Sequence, residues 1–482
     1  MKAAALLAVA ASVTQTVHGL SLRKRQDGPK VVGLETERRA PRHPIHRDKL
    51  RKRDPVEVGL DNQETLYFIN ATIGTPPRSV RLHLDTGSSD LWVNTPDSRL
   101  CQSRGQPCTY AGTYSANSSS TYEYIGSYFN ISYVDGSGAS GDYVSDTVTV
   151  GGHTFDRLQF GVGYSSSNSQ GILGIGYPLN EVQVGRAGLE PYNNLPAQLV
   201  ADGAIRSNAY SLWLNDLDAN TGNILFGGVD AEKHTGTLQT LPVESEAGIF
   251  AEFMITLTRL QLGDKTIGGS DLALAVLLDT GSSLTYLPDA LVQELYADLG
   301  AVFDADANAA YVPCSAASSG TKLTFTFTSP SIAVDMDELV LDLVTTSSGR
   351  GSRPTFDDGS PACLFGIAPA GRGTNVLGDT FLRSAYVVYD LDNNEISVAQ
   401  TRFNTTASRV LEIGGGEDAV PGATRVQDPV RATEGLHGPN GASGGGRLTG
   451  GAAALGGTGL EVGIRAGVVA GLVGFAVAAG RW

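Results

Sequence analysis

The pentapeptide Asp-Thr-Gly-Ser-Ser occurs twice in this chain, at residues 85–89 and at 279–283. One such stretch is ordinary turn chemistry. Two identical copies, 194 residues apart, suit a different purpose. If two loops bring Asp85 and Asp279 within a few ångströms, the like charges cannot both ionise and the pair shares one proton. The ionised member can take a proton from a water. The protonated member can hydrogen-bond a carbonyl oxygen and stabilise the oxyanion that develops there. That is the chemistry of amide hydrolysis without a covalent intermediate, and the two pKa values belong to the pair. The neighbours fit the same scheme. Gly87 and Gly281 permit bends and close backbone approach. Ser88 and Ser282 stand three residues past each aspartate, where a hydroxyl can orient the carboxylate. Thr86 and Thr280 are placed to cross-link the loops beneath it.

Each copy follows an apolar strand, Leu82-His83-Leu84 in one case and Val276-Leu277-Leu278 in the other. Each leads into a second apolar segment, Leu91-Trp92-Val93 and Leu284-Thr285-Tyr286. A repeated loop in a repeated strand context predicts two lobes of similar build, with the loops meeting on a pseudo-twofold axis. Around them the chain reads as short β segments separated by Gly, Asn, Asp and Ser. Examples are Leu66 to Ile73, the turn Gly74-Thr75-Pro76-Pro77 and Val80 to Leu84. Helical patterns are few. One starts near Pro288, places Leu291, Val292, Leu295, Tyr296 and Leu299 on one face and stops at Gly300; a shorter one covers Asn194 to Ala201. The expected fold class is all-β, mostly strands with a few short helices, bilobal around a central cleft.

At 482 residues the chain exceeds one ordinary core and suits two lobes with appended segments. Residues 1–53 carry 13 of the 35 basic side chains and 4 of the 50 acidic ones, so the remainder carries a net charge of −24. Such an acidic body argues against a nucleic-acid partner. It suits work at low pH, where self-repulsion falls; acidity for solubility alone is the alternative. Among seven histidines none lies in an HExxH pattern, no Cys/His spacing suits a metal, and no Gly-rich phosphate loop follows a strand. No cofactor or metal is expected, and His83 is not expected to be catalytic.

The ends differ in composition from the middle. Residues 1–19 read as a signal peptide, with Lys2 before a short apolar run. Residues 20–53 form a basic stretch with clusters at 23–25, 38–39 and 51–53. It reads as a propeptide cut after Lys52-Arg53, its charge able to close an acidic cleft until that cleft protonates; a plain disordered arm is the alternative. The two lobes are expected at 54–238 and 239–405. Residues 406–465 are Gly-rich and read as a flexible stalk. Residues 466–482 contain an uncharged run of 15 residues, Ala466 to Gly480, short for a spanning helix of about 20. It fits the tail of a GPI-anchor signal, with Asn440, Ser443 and Gly450 opening candidate attachment triplets. A retained membrane anchor and a free stalk are the alternatives, and the terminal Arg481-Trp482 departs from the usual apolar end.

The two loops are accompanied by Gly171-Ile172-Leu173-Gly174-Ile175-Gly176-Tyr177 and by Val376-Leu377-Gly378-Asp379. With these the chain resembles the pepsin-like aspartic proteases over residues 64–403. Within them it resembles the secreted, membrane-anchored yapsin-like group of fungi. The resemblance implies an acid-acting endopeptidase with protein and peptide substrates. It implies a monomer carried by the secretory pathway to the cell membrane or wall and lipid-anchored on the extracellular face. A catalytically inactive binding protein of the same fold is the alternative. The family's substrate-covering hairpin matches Ile131 to Gly138, making Tyr133 the flap tyrosine, bonded to Trp92. Asp135 lies near where a P1 side chain would sit and can pair with Lys or Arg there; a hairpin-turn role is the alternative. Val134, where the family often has Gly, is a departure. The family pairing of the four cysteines is Cys101 with Cys108 and Cys314 with Cys363. Asn70, Asn117, Asn130 and Asn404 begin Asn-X-Ser/Thr sequons, of which Asn70 and Asn130 lie in strand-like segments.

Overall fold

The computed structural model describes residues 29–39, 66–133, 136–219, 221–304, 309–342 and 354–436. The fold is mostly β. Strand Arg78–Asp85 begins exposed and ends buried, so it runs from the surface to the centre and delivers Asp85 there. It lies between antiparallel Leu66–Ile73 and parallel Gly171–Gly174, with Leu84 opposite Leu173 and Asp85 opposite Gly174. The chain then returns as Leu91–Asn94, antiparallel to Gly171–Gly174.

The second lobe repeats this plan. Strand Leu274–Leu278, buried throughout, lies between antiparallel Met254–Leu257 and parallel Val376–Leu377. Thr285–Leu287 returns antiparallel to Val376–Leu377. Such runs are apolar on both faces because neither face meets water. The lobes are joined by one large sheet that includes Ala209–Trp213, His234–Pro242, Ala385–Asp390 and Glu395–Thr401. The helix expected after Pro288 spans Asp289–Leu299, buries Leu291, Val292, Leu295 and Tyr296, and ends at Gly300 in the left-handed region (φ 60°). The shorter helix is Leu195–Ala201, capped by the Asn194 side chain.

A buried ion-pair network also ties the lobes. Arg383, with no exposed surface, pairs with Asp379 and Glu338. Tyr67 of the first lobe donates to Asp379 Oδ1 at 2.5 Å. Removing both acids would strand a buried cation, at about 3–5 kcal/mol.

Both ends depart from expectation. Part of the basic 20–53 segment is a strand, Val32–Arg39, inserted between Thr221–Phe226 and Leu66–Ile73. Leu34 and Thr36 point inward while Glu35 and Glu37 point out, a period of two that the charge count obscured. Glu37 pairs with Arg81. Residues 29–39 are thus held by sheet pairing, not by charge against a cleft.

The expected stalk is folded over its first 31 residues, 406–436. Val410–Glu412 pairs antiparallel with Gly228–Asp230, and Ala423–Arg425 pairs parallel with His234–Pro242 at the sheet edge. Ile413 and Val420 are buried against Trp213, Val229, Leu238 and Tyr386. Farther on, the Glu434 carbonyl accepts from Ala275 N at 2.8 Å, beside the strand that leads to Asp279. Gly-rich composition rules out a core of the segment's own. It does not prevent a few apolar side chains from using a core already built. Residues 437–482, with Asn440, Ser443, Gly450 and the apolar run, lie outside the described residues, as do residues 1–28 and 40–65. Among the described residues no helix is long and apolar enough to cross a membrane.

Candidate active site

The two pentapeptides meet at the centre, and their hydrogen bonds match atom for atom. Asp85 Oδ1 accepts from Gly87 N at 2.8 Å and Oδ2 from Ser88 Oγ at 2.5 Å. Asp279 Oδ1 accepts from Gly281 N at 2.7 Å and Oδ2 from Ser282 Oγ at 2.7 Å. Beneath them the threonines form a reciprocal lattice. Thr86 N donates to Thr280 Oγ1 at 3.1 Å, and Thr280 N donates to Thr86 Oγ1 at 3.0 Å. Each hydroxyl then donates across the axis, Thr86 to the Leu278 carbonyl and Thr280 to the Leu84 carbonyl, both at 2.9 Å. The lattice's four hydrogen bonds satisfy six buried polar groups and fix one loop against the other.

The glycines serve this approach in a specific way. Neither has a positive φ. A methyl group on Gly87 would lie 2.7 Å from Asp279 Oδ1, and one on Gly281 would lie 2.6 Å from Asp85 Oδ1. Each glycine therefore clears space for the other lobe's carboxylate. The bracing segments do similar work. Ile175 N donates to the Asp85 carbonyl at 3.0 Å, and Asp279 N donates to the Leu377 carbonyl at 3.2 Å.

Asp85 and Asp279 are 5% and 9% exposed, so the pair is withdrawn from bulk water yet reachable. Burial, then the charge of Asp279, push the Asp85 carboxyl up to about 7 from an ordinary 3.8; donations from Ser88 and Gly87 pull it the other way. A shared proton thus persists through the acid range.

Strands Glu123–Ser132 and Gly138–Val150 form the hairpin expected over the site. Tyr133 OH accepts from Trp92 Nε1 at 2.7 Å, as expected. Val134 and Asp135 lie outside the described residues. The disulfides are Cys101–Cys108 and Cys314–Cys363. His83 is buried with its ring tilted against Phe68. Asn70, Asn117, Asn130 and Asn404 are all exposed. Among the described residues, Asn404 alone of the four has an engaged carboxamide, with Nδ2 donating to Asp216 Oδ2 at 2.8 Å.

Two acidic features were not anticipated. Glu252 is partly exposed, and the strand after it is the antiparallel neighbour of Leu274–Leu278. Burial, then the charges of Glu246 and Asp279, push it up to about 7. Asp90 and Glu181 form a second, fully buried carboxylate pair. Asp90 accepts from Tyr143 OH at 2.5 Å, Tyr192 OH at 3.0 Å and Val182 N at 2.9 Å. Glu181 accepts from Tyr192 N at 2.8 Å, and its Oε1 has no partner among the described residues. Burial, then the charge of Asp90, push Glu181 up to about 10, so it is a neutral acid. Asp90 directly follows the first pentapeptide, but Glu181 lies in no motif, and only the fold brings it near.

A bilobal β fold with one Asp-Thr-Gly loop from each lobe at its centre defines an aspartic protease. The family model of the eukaryotic aspartyl proteases matches residues 66–401, and the chain belongs to that family. It is an aspartic-type peptide-bond hydrolase. Over 432 residues the chain is 55% identical to "Probable aspartic-type endopeptidase opsB" of Aspergillus oryzae, spanning 88% of this chain and 87% of that protein. Over 430 residues it is 53% identical to "Probable aspartic-type endopeptidase OPSB" of Arthroderma benhamiae, spanning 88% and 86%. It is 38% identical over 371 residues to "Secreted aspartic protease 3" of Candida albicans, spanning 75% and 86%.

Proposed function

We propose that Asp85 and Asp279 are the catalytic carboxylates of an acid-acting endopeptidase. The observation that carries this reading is the two-fold repetition of carboxylate, Ser hydroxyl and Gly amide around one axis, with each loop's glycine packed beneath the opposite carboxylate. The ionised partner takes a proton from the lytic water as it attacks the scissile carbonyl. The protonated partner donates to that carbonyl oxygen. As the intermediate collapses, the carboxyl that took the water's proton gives it to the leaving nitrogen, and the intermediate's hydroxyl returns its proton to the other carboxylate, which restores the shared proton. Ser88 and Ser282 hold the carboxylates, and Thr86 and Thr280 hold the loops. The Trp92–Tyr133 bond sets the flap tyrosine for closure over a bound peptide, which excludes water.

The test is peptide cleavage between pH 3 and pH 7 by the secreted protein, beside Asp85→Asn and Asp279→Asn. Retention of wild-type turnover by either variant defeats the assignment.

The protein acts on protein and peptide substrates outside the cell, as a monomer reached through the secretory route. A signal at 1–19, a pro-segment ending at Lys52-Arg53 and a C-terminal GPI signal compose that route. The secreted relative in Candida supports the first part, and the spacer and apolar run after residue 436 support the anchor. Asp135 on the flap favours Lys or Arg at P1. Asp135→Ala would then lower turnover of P1-Lys and P1-Arg peptides selectively; equal loss on P1-Leu peptides removes the preference.

A further inference from the structure

On the first lobe, away from the dyad, lies an open cavity of about 560 Å³ bordered by Asn70, Thr72, Arg81, Tyr110 and Gly152. Sites for small molecules span roughly 300–1,000 Å³. Phe68, Asn70 and Thr72 share one face of their strand, and Asn70 stands opposite Arg81 in the antiparallel register. The Arg81 guanidinium covers the Tyr110 ring at 4.6 Å and the Phe68 ring at 5.7 Å. Tyr110 is nonetheless 42% exposed. Above Gly152 there is open space. The Asn70 carboxamide is exposed and makes no hydrogen bond among the described residues, unlike that of Asn404.

We propose that this cavity seats an N-linked glycan on Asn70, the first N-acetylglucosamine lying on Tyr110 and Arg81. Asn70-Ala71-Thr72 is the acceptor sequon. The proposal rests on the secretory route given above. In the transfer, Asn70 Nδ2 bonds to the anomeric carbon of a lipid-pyrophosphate-linked oligosaccharide. The bond from that carbon to the phosphate oxygen breaks, lipid pyrophosphate leaves with the electron pair, and the amide nitrogen loses one proton. The chemistry of the seat matches an acetamido sugar. Its C–H face is apolar and packs on an aromatic ring. Its hydroxyl and acetyl oxygens accept hydrogen bonds, and a guanidinium offers several donors in a fixed plane. A strand position would otherwise be a poor place for a bulky polar chain. Here the neighbouring glycine and the gap beside the strand make room for it.

The test uses the full chain secreted from a glycosylating eukaryotic host. Mass spectrometry of the Asn70 peptide is expected to show a glycan. Glycans are then trimmed to a single N-acetylglucosamine, and melting temperatures are compared for wild type, Tyr110→Ala, Asn70→Gln and the double variant. Tyr110→Ala is expected to cost on the order of 2 °C more with the sugar present than in the Asn70→Gln background. If Asn70→Gln is not secreted, enzymatic release of the glycan from folded wild type and Tyr110→Ala supplies the bare arm. A bare Asn70 on secreted, active protein overturns the proposal, and so does an equal Tyr110→Ala effect in both backgrounds. Peptidase activity is expected to be unchanged in every variant, so failure here is separable from failure of the dyad assignment.

Discussion

Gly87 and Gly281 carry more of the site than their backbone angles suggest. A Cβ at 2.7 Å from Asp279 Oδ1 cannot be accommodated without moving a carboxylate. Gly87→Ala is therefore expected to fold but to lose kcat by about 100-fold, the scale of a 1 Å misplacement of a reacting group. Circular dichroism beside initial rates checks this; a fully active alanine variant would show that the loops have slack. Ser88 acts through charge. Its hydroxyl favours the ionised form of Asp85, so Ser88→Ala should raise the pair's proton affinity. The alkaline limb of the kcat profile should move up by about 0.5–1 pH unit, the equivalent of one hydrogen bond. A limb that stays or moves down removes Ser88 from that role.

At the scale of elements, Asp90 and Glu181 couple the loop after Asp85 to the segment after Tyr177. Glu181 is protonated in the fold, with a pKa raised from 4.5 to about 10. In the unfolded chain it ionises near its ordinary value. Its raised pKa means the contribution is intact at pH below about 4.5. Above that the unfolded chain gains by ionising, at about 1.4 kcal/mol per pH unit for one proton, until the folded group also ionises near pH 10. The groups facing it are Asp90, Tyr143 and Tyr192; both tyrosines have raised pKa values and stay neutral throughout. Asp85 and Glu252 add the same sign at lower pH, since both are raised to about 7. Stability should fall from pH 5 to pH 8. Glu181→Gln should flatten that fall by one proton's worth, read from melting temperatures across the range. An unchanged slope would falsify the role given to this pair. The helices and strands themselves were readable from periodicity, as Asp289–Leu299 and Arg78–Asp85 show. The carboxylate pair was not, because its members stand 91 positions apart in the chain and neither shows a pattern alone.

For the whole molecule, the last described segment runs from the shared sheet to the strand that leads to Asp279. Truncation after residue 405 would uncover the edge strand His234–Pro242 and the pocket that holds Ile413 and Val420. Each of those side chains is worth about 1.5–3 kcal/mol on burial. Loss of several kcal/mol, seen as a lower melting temperature and poor secretion, is expected. Truncation after 436 should leave both unchanged. Equal behaviour of the two truncations would show the segment to be a passive passenger. The strand Val32–Arg39 has a comparable place at the other end, paired on both sides within the same sheet.

The dyad, its serine and threonine neighbours, the two-lobed plan and the main helix were all present in the sequence. A repeated motif and a hydrophobic period are properties of residues close together in the chain. What the tertiary structure decided is who meets whom across the chain. It placed each glycine under the other lobe's carboxylate, assembled Asp90 with Glu181, and paired 32–39 and parts of 406–436 with strands whose core is built elsewhere. Those outcomes depend on surfaces that exist only once distant segments have packed. Composition describes a segment's ability to fold alone, and these segments do not fold alone.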